Sequence, residues 1–142
     1  MNFVAVGIAG FLGAITRFAL SKILQFDIFV FFPFSTFFIN LTGCFILSFF
    51  LTLTLEHLEI NPRLRLAFGT GFLGSYTTFS TFTVDSLNLI RSNHLLLALV
   101  YILGTSLGSV IFAWLGVSFS RLITERKQEK AEDVQLDLQE EQ

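Results

Sequence analysis

Residues 66–84 read LAFGTGFLGSYTTFSTFTV, an uncharged stretch bracketed by Arg65 and Asp85. It is long enough to cross a hydrocarbon core of about 30 Å at about 1.5 Å of rise per residue. Gly69, Gly71 and Gly74 come first, then Thr77, Thr78, Ser80 and Thr81, with Phe79 and Phe82 interleaved. Glycine weakens a helix and hydroxyls compete for its backbone groups, so this is poor material for a continuous helix. It suits a break near mid-membrane, where freed backbone groups bind something or are satisfied by hydroxyls. Carbonyls at the C-terminal end of the first half would attract a cation. A kinked but solid helix, its small residues packed against neighbours, is the other reading of the same stretch.

Outward from it the chain repeats the pattern. Residues 3–24, 34–55 and 95–119 are the other long apolar stretches, with Arg17 and Lys22 near the end of the first and Arg121 after the last. Charged residues make up 14 % of the 142, against 53 % apolar, which is too little polar surface for a soluble domain of this size. The reading is an all-α integral membrane protein with four spans, a membrane domain over residues 1–123 and a polar, acidic tail over 124–142 without fixed structure. The partner of the bulk of the chain is lipid and not nucleic acid. The opening MNFVAVG carries no basic residue, so the first span reads as retained and not as a cleaved leader. Cys44 is the only cysteine, which excludes an internal disulfide and reads as a packed, inert thiol. One four-helix bundle has a single filled seam, so a solute pathway calls for at least a dimer.

Polar residues inside the spans carry the functional signal. Asn40 must find partners in hydrocarbon, either across helices as glue or with its NH₂ group facing a solute. Phe79 and Phe82 are three apart and share a helix face. Such a pair is usually core or lipid-facing. Ring edges are positive, however, and could touch a desolvated anion without holding it as a Lys or Arg would. Tyr101, Thr105 and Ser109 stack at spacings of four, as interhelical bonding or as a track of donors, while Gly104 and Gly108 form an adjacent small-residue stripe.

Together these runs resemble the Fluc (CrcB) fluoride channels. GFLGSYTTFSTF, residues 71–82, is similar to that family's third-helix signature; AGFLGAITRF, 9–18, to its Gly-rich opening; FINLTGCF, 38–45, to its Asn-x-x-Gly segment. The likeness covers roughly residues 3 to 122, with Phe18, Ser75 and Cys44 where Tyr, Gly and Ser are common. It implies no enzyme but a passive channel in the cell membrane that exports fluoride, built as an antiparallel, dual-topology dimer with a buried structural Na⁺. Carried over, backbone carbonyls of Gly74 and Thr77 would hold the sodium, and Phe79 and Phe82 would line the anion path. Asn40, Ser80, Thr81, Tyr101, Thr105 and Ser109 would supply donors, and Arg17 would order the vestibule.

Two rivals are a small multidrug-type exporter and a non-transporting assembly subunit. Proton-coupled export needs a titratable group in the membrane, and Asp27, Glu56, Glu59 and Asp85 all read as lying at span edges. Basic residues near the spans are balanced: Arg63, Arg65 and Arg121 on the side of the termini, Arg17, Lys22 and Arg91 on the other. The tail's Arg126, Lys127 and Lys130 lie among acids. Balance favours insertion both ways and a homodimer; a fixed orientation would demand an oppositely inserted paralogue.

Overall fold

The computed structural model describes residues 2–24, 31–58 and 60–140, so Asp27 and Glu59 lie outside the described residues. In chain order the elements are α1 (Asn2–Ile23), α2 (Phe34–Thr52) running on into a π-helical turn (Leu53–His57), α3 (Pro62–Leu66), a π-helical segment (Ala67–Leu73), α4 (Gly74–Tyr76), α5 (Phe79–Arg91) and α6 (Leu95–Glu140). Three helices are long and apolar enough to cross a membrane alone: 3–23, 34–56 and 95–126. The remaining crossing is made in pieces, by α3, the π segment and α4 on one side of a gap and by α5 on the other.

This crossing is longer than the uncharged stretch. It opens at Asn61, whose side chain accepts the Arg63 N–H at 3.0 Å with Pro62 in the first helical position. It closes where Asn93 takes a left-handed φ of 60°. There the His94 N–H returns to the Leu89 carbonyl at 2.9 Å and the Asn93 N–H to Ile90 at 3.1 Å. Asp85 therefore stands inside α5 and not in a connection, which corrects its reading as an edge residue. A charge ends an apolar run; only a cap ends a helix.

Glycine sets how the first crossing meets the broken one. A Cβ on Gly13 would overlap the Phe72 carbonyl, and one on Gly71 would come within 2.6 Å of the Val6 carbonyl. Here α1 and the π segment touch backbone to backbone. Packing of α2 against α6 uses the same device at Gly116, where a Cβ would overlap Ser48 Oγ. At that end Arg121 grips Glu56 through two bonds of 2.8 and 3.1 Å. Both side chains are exposed, so this pair orients α6 more than it stabilises it.

Two small apolar clusters fill the interior. Ile39, Leu73 and Tyr76 pack with Phe68 and Phe72 below the gap; Leu89, Ala98 and Tyr101 pack with Phe32, Phe37 and Phe82 above it. Elsewhere large apolar side chains face outward, Phe3 91 %, Phe11 66 % and Phe18 65 % exposed along α1 alone. Water would not tolerate so continuous an apolar surface. The chain is a multi-pass integral membrane protein, an all-α bundle with one bent, interrupted helix.

Candidate functional site

The gap lies at Thr77 and Thr78, both in extended conformation with ψ of 159° and 120°. Each backbone group there needs a partner, because lipid offers none. Asn40 of α2 supplies two: its Oδ1 accepts the Thr78 N–H at 2.9 Å, and its Nδ2 donates to the Thr78 carbonyl at 3.0 Å. The Thr77 N–H and hydroxyl both return to the Leu73 carbonyl at 3.0 Å. The Thr78 hydroxyl caps α5 by accepting the Thr81 N–H at 3.2 Å. A side chain on Gly43 would strike the Thr77 methyl, so glycine is what lets α2 reach the gap.

These substitutions free two carbonyls. In an unbroken helix Gly74 would accept from the Thr78 N–H and Thr77 from the Thr81 N–H. Here the first donor goes to Asn40 and the second to the Thr78 hydroxyl. Gly74 and Thr77 thus lose their helical donors at the C-terminal end of the first half, the end of a helix where partial negative charge gathers. The opposite end of the gap is the N-terminus of α5, whose leading N–H groups at Phe79 and Ser80 favour an anion.

Beside the gap lies a cavity of about 300 Å³ lined by Asn40, Gly43, Cys44, Thr77, Thr78, Phe79, Phe82, Thr105, Ser106 and Ser109 among others. It gathers six of the sequence-read residues: Asn40, Thr77, Phe79, Phe82, Thr105 and Ser109. Asn40 reaches it already engaged on Thr78, with one amide proton left to offer. The Thr105 hydroxyl donates back to the Tyr101 carbonyl at 2.6 Å. The Ser109 hydroxyl makes no protein hydrogen bond among the described residues. Phe79 is 80 % exposed, its ring 5.8 Å from that of Phe82. Cys44 stands in the cavity wall and not in a packed core.

Other sequence-read residues lie outside this cavity. Ser80 and Thr81 are exposed on the first turn of α5, their hydroxyls 3.3 and 2.9 Å from that of Thr78. Tyr101 is fully buried between the rings of Phe32 and Phe82, at centroid distances of 5.6 and 5.4 Å. Arg17 is half-buried on α1, one turn from Gly13 and so on the face that meets the π segment. It makes no hydrogen bond or ion pair among the described residues.

Asp85 is the residue that sequence reasoning missed. Its carboxylate accepts from the Thr36 hydroxyl at 2.8 Å and, more loosely, from the Tyr101 hydroxyl at 3.4 Å. A second cavity of about 270 Å³, lined by Asp85, Asn88, Ser92 and His94 with Phe31, Phe32, Pro33 and Leu89, opens beside it at the end of the bundle. Phe82 and Tyr101 stand between the two cavities, since Phe82 lines the first and Tyr101 bonds Asp85 in the second. The available signal was spacing: Phe82, Asp85 and Leu89 fall at i, i+3 and i+7, one helix face.

Comparison with known proteins places the sequence in a family. The family described as CrcB-like protein, Camphor Resistance (CrcB), matches residues 4–117. The fluoride-specific ion channel FluC 1 of Moorella thermoacetica is 39 % identical over 122 residues, covering 86 % of this chain and 87 % of that channel. The fluoride-specific ion channel FluC of Aquifex aeolicus is 40 % identical over 112 residues, 79 % of this chain and 90 % of its own. FluC 2 of Geobacillus kaustophilus, named likewise, is 38 % identical over 128 residues, 90 % and 98 %. With a match over most of its length and relatives at this identity, the chain belongs to the CrcB (FluC) family, whose members are channels and not enzymes.

Proposed function

We propose that this protein is a passive, fluoride-selective channel of the cell membrane that lowers cytoplasmic fluoride. In this reading it works as an antiparallel homodimer around a buried structural sodium ion. The observation that carries the reading is the Phe-walled, hydroxyl-lined cavity beside a helix gap where Asn40 pairs with both the N–H and the carbonyl of Thr78. Relatives named as fluoride-specific channels over most of their length support the choice of ion.

Fluoride is small and tightly hydrated, so a selective pore must replace its water with close donors. This chain offers the free amide proton of Asn40, the Ser109 hydroxyl and the leading N–H groups of α5. Phe79 and Phe82 add positive ring edges and narrow the walls against larger anions. Thr105 and Tyr101 would serve the ion by turning their protons away from the Tyr101 carbonyl and the Asp85 carboxylate. Among the described residues no basic side chain lines the cavity, so an entering anion is not trapped there by a full charge pair.

Phe79, Ser80 and Thr81 face outward from the single chain. A second copy laid against this face would close the cavity and bring those hydroxyls to the path. Balanced basic residues at the two membrane ends favour that copy being inserted the opposite way. An oppositely oriented paralogue is the alternative partner. The carbonyls of Gly74 and Thr77 would hold the sodium, and when bound the ion would supply a fixed positive charge between the copies.

The test is efflux. The purified chain, reconstituted alone into fluoride-loaded liposomes, should release fluoride down its gradient and leave chloride inside. Release that requires an imposed proton gradient would replace the channel with a coupled exporter, and no release at all would leave an assembly subunit.

A further inference from the structure

A third cavity, of about 360 Å³, lies away from the gap between the end of α2 and the start of the broken crossing. Its walls are Leu47, Leu51 and Leu66, its floor is Gly69 and Thr70, and Arg65 stands in its lining. Gly69 leaves real space there: an added Cβ would meet only Leu47 and Leu51 methyls, at 3.6 and 3.9 Å. Arg65 is half-buried, donates through Nη2 to the Thr54 carbonyl, and keeps its Nε buried without an acceptor. Among the described residues it has no carboxylate partner. Glu56, the acid nearest in sequence, is gripped by Arg121.

A guanidinium with no counter-charge, set at the mouth of an apolar slot at a membrane end, is poorly served by hydrocarbon and by water alike. We propose that this groove binds one anionic phospholipid, its phosphate against Arg65 and one acyl chain between Leu47, Leu51 and Leu66. Charge complementarity chooses the headgroup. The open space over Gly69, edged by Leu47 and Leu51 methyls, admits an acyl chain. Arg63, two residues away, is exposed and does not line the groove, so it adds only diffuse attraction. The site is independent of the fluoride path, since the two cavities share only Leu47.

The test is native mass spectrometry of the full chain. It is released from micelles holding equal amounts of phosphatidylglycerol and phosphatidylcholine with the same acyl chains. The wild type should retain phosphatidylglycerol about fivefold over phosphatidylcholine, the preference one basic residue near a membrane surface confers. Arg65→Gln should bring the ratio near one, Arg65→Lys should keep most of it, and Arg63→Gln should leave it unchanged. Gly69→Leu, which fills the groove and leaves the Arg65 bond to Thr54 in place, should lower retention of both lipids. It carries the test alone if Arg65→Gln does not fold. An unaltered ratio in Arg65→Gln, an equal fall in Arg63→Gln, or unaltered retention in Gly69→Leu would overturn the proposal. So would displacement of the bound lipid by inorganic phosphate, which would make the ligand a free anion. Loss of the dimer in Gly69→Leu with lipid retention intact would make the groove a contact between copies instead.

Discussion

Asn40 spends an acceptor and a donor on the backbone of one residue, Thr78. Sequence left it as interhelical glue or solute contact, and the geometry provides for both, since an amide has one more proton than the gap uses. Asn40→Leu strips partners from a buried N–H and a buried C=O. It should cost about 2–6 kcal/mol, at roughly 1–3 per group, measured as a lowered unfolding midpoint together with lost fluoride flux. Asn40→Asp keeps the acceptor but sets an oxygen against the Thr78 carbonyl and a charge in the membrane, so it too should lose fluoride flux. Phe82→Ile and Phe79→Ile keep bulk and remove the ring edge. Each should cut fluoride flux severely while gel filtration still reports the assembled dimer, and unchanged flux in both would return these rings to packing. Asp85→Ala leaves the Thr36 hydroxyl without its acceptor and the Tyr101 hydroxyl with none of the described ones. A loss of about 1–3 kcal/mol of stability is expected by the same reasoning, read as a lowered unfolding midpoint.

Among elements, the interrupted crossing was legible in outline. Three glycines in residues 69–74 followed by four hydroxyls in residues 77–81 foretell a helix that gives way, and it does so at Thr77 and Thr78. What repairs the gap was not legible, because the pairing of Asn40 with Thr78 joins residues 38 positions apart and depends on how two helices cross. The extent of the crossing was misjudged for a different reason. Hydropathy marks where lipid ends, whereas Asn61 and Asn93 mark where helix ends, and Asp85 falls between those two definitions. The π-helical segment was also invisible, since periodicity over a seven-residue stretch does not separate it from α-helix. Its seating is checkable: Gly13→Val would drive a side chain into the Phe72 carbonyl, displacing α1 and the gap with it. Loss of the assembled protein or of flux is the expected result, with Gly7→Val, where space is open, as the neutral control. If carbonyls of Gly74 and Thr77 enclose sodium at the gap, exchange with the bath is slow. Replacing bath Na⁺ by K⁺ over seconds should then leave flux unchanged, while prolonged sodium removal should abolish it.

At the scale of the whole molecule, the single chain is unfinished on one face, where Phe79 is exposed beside a cavity that opens outward. Its basic residues near the spans do not choose a side, so a C-terminal tag should be accessible from both faces of the membrane. A tag that is always cytoplasmic would demand an oppositely inserted paralogue. Electrical recording asks the central question most directly. The purified chain, alone in a planar bilayer under a fluoride gradient, should pass current that reverses at the fluoride equilibrium potential and ignores an imposed pH gradient. Silence, or a reversal potential that follows chloride or protons, would contradict a fluoride-selective channel built from this chain.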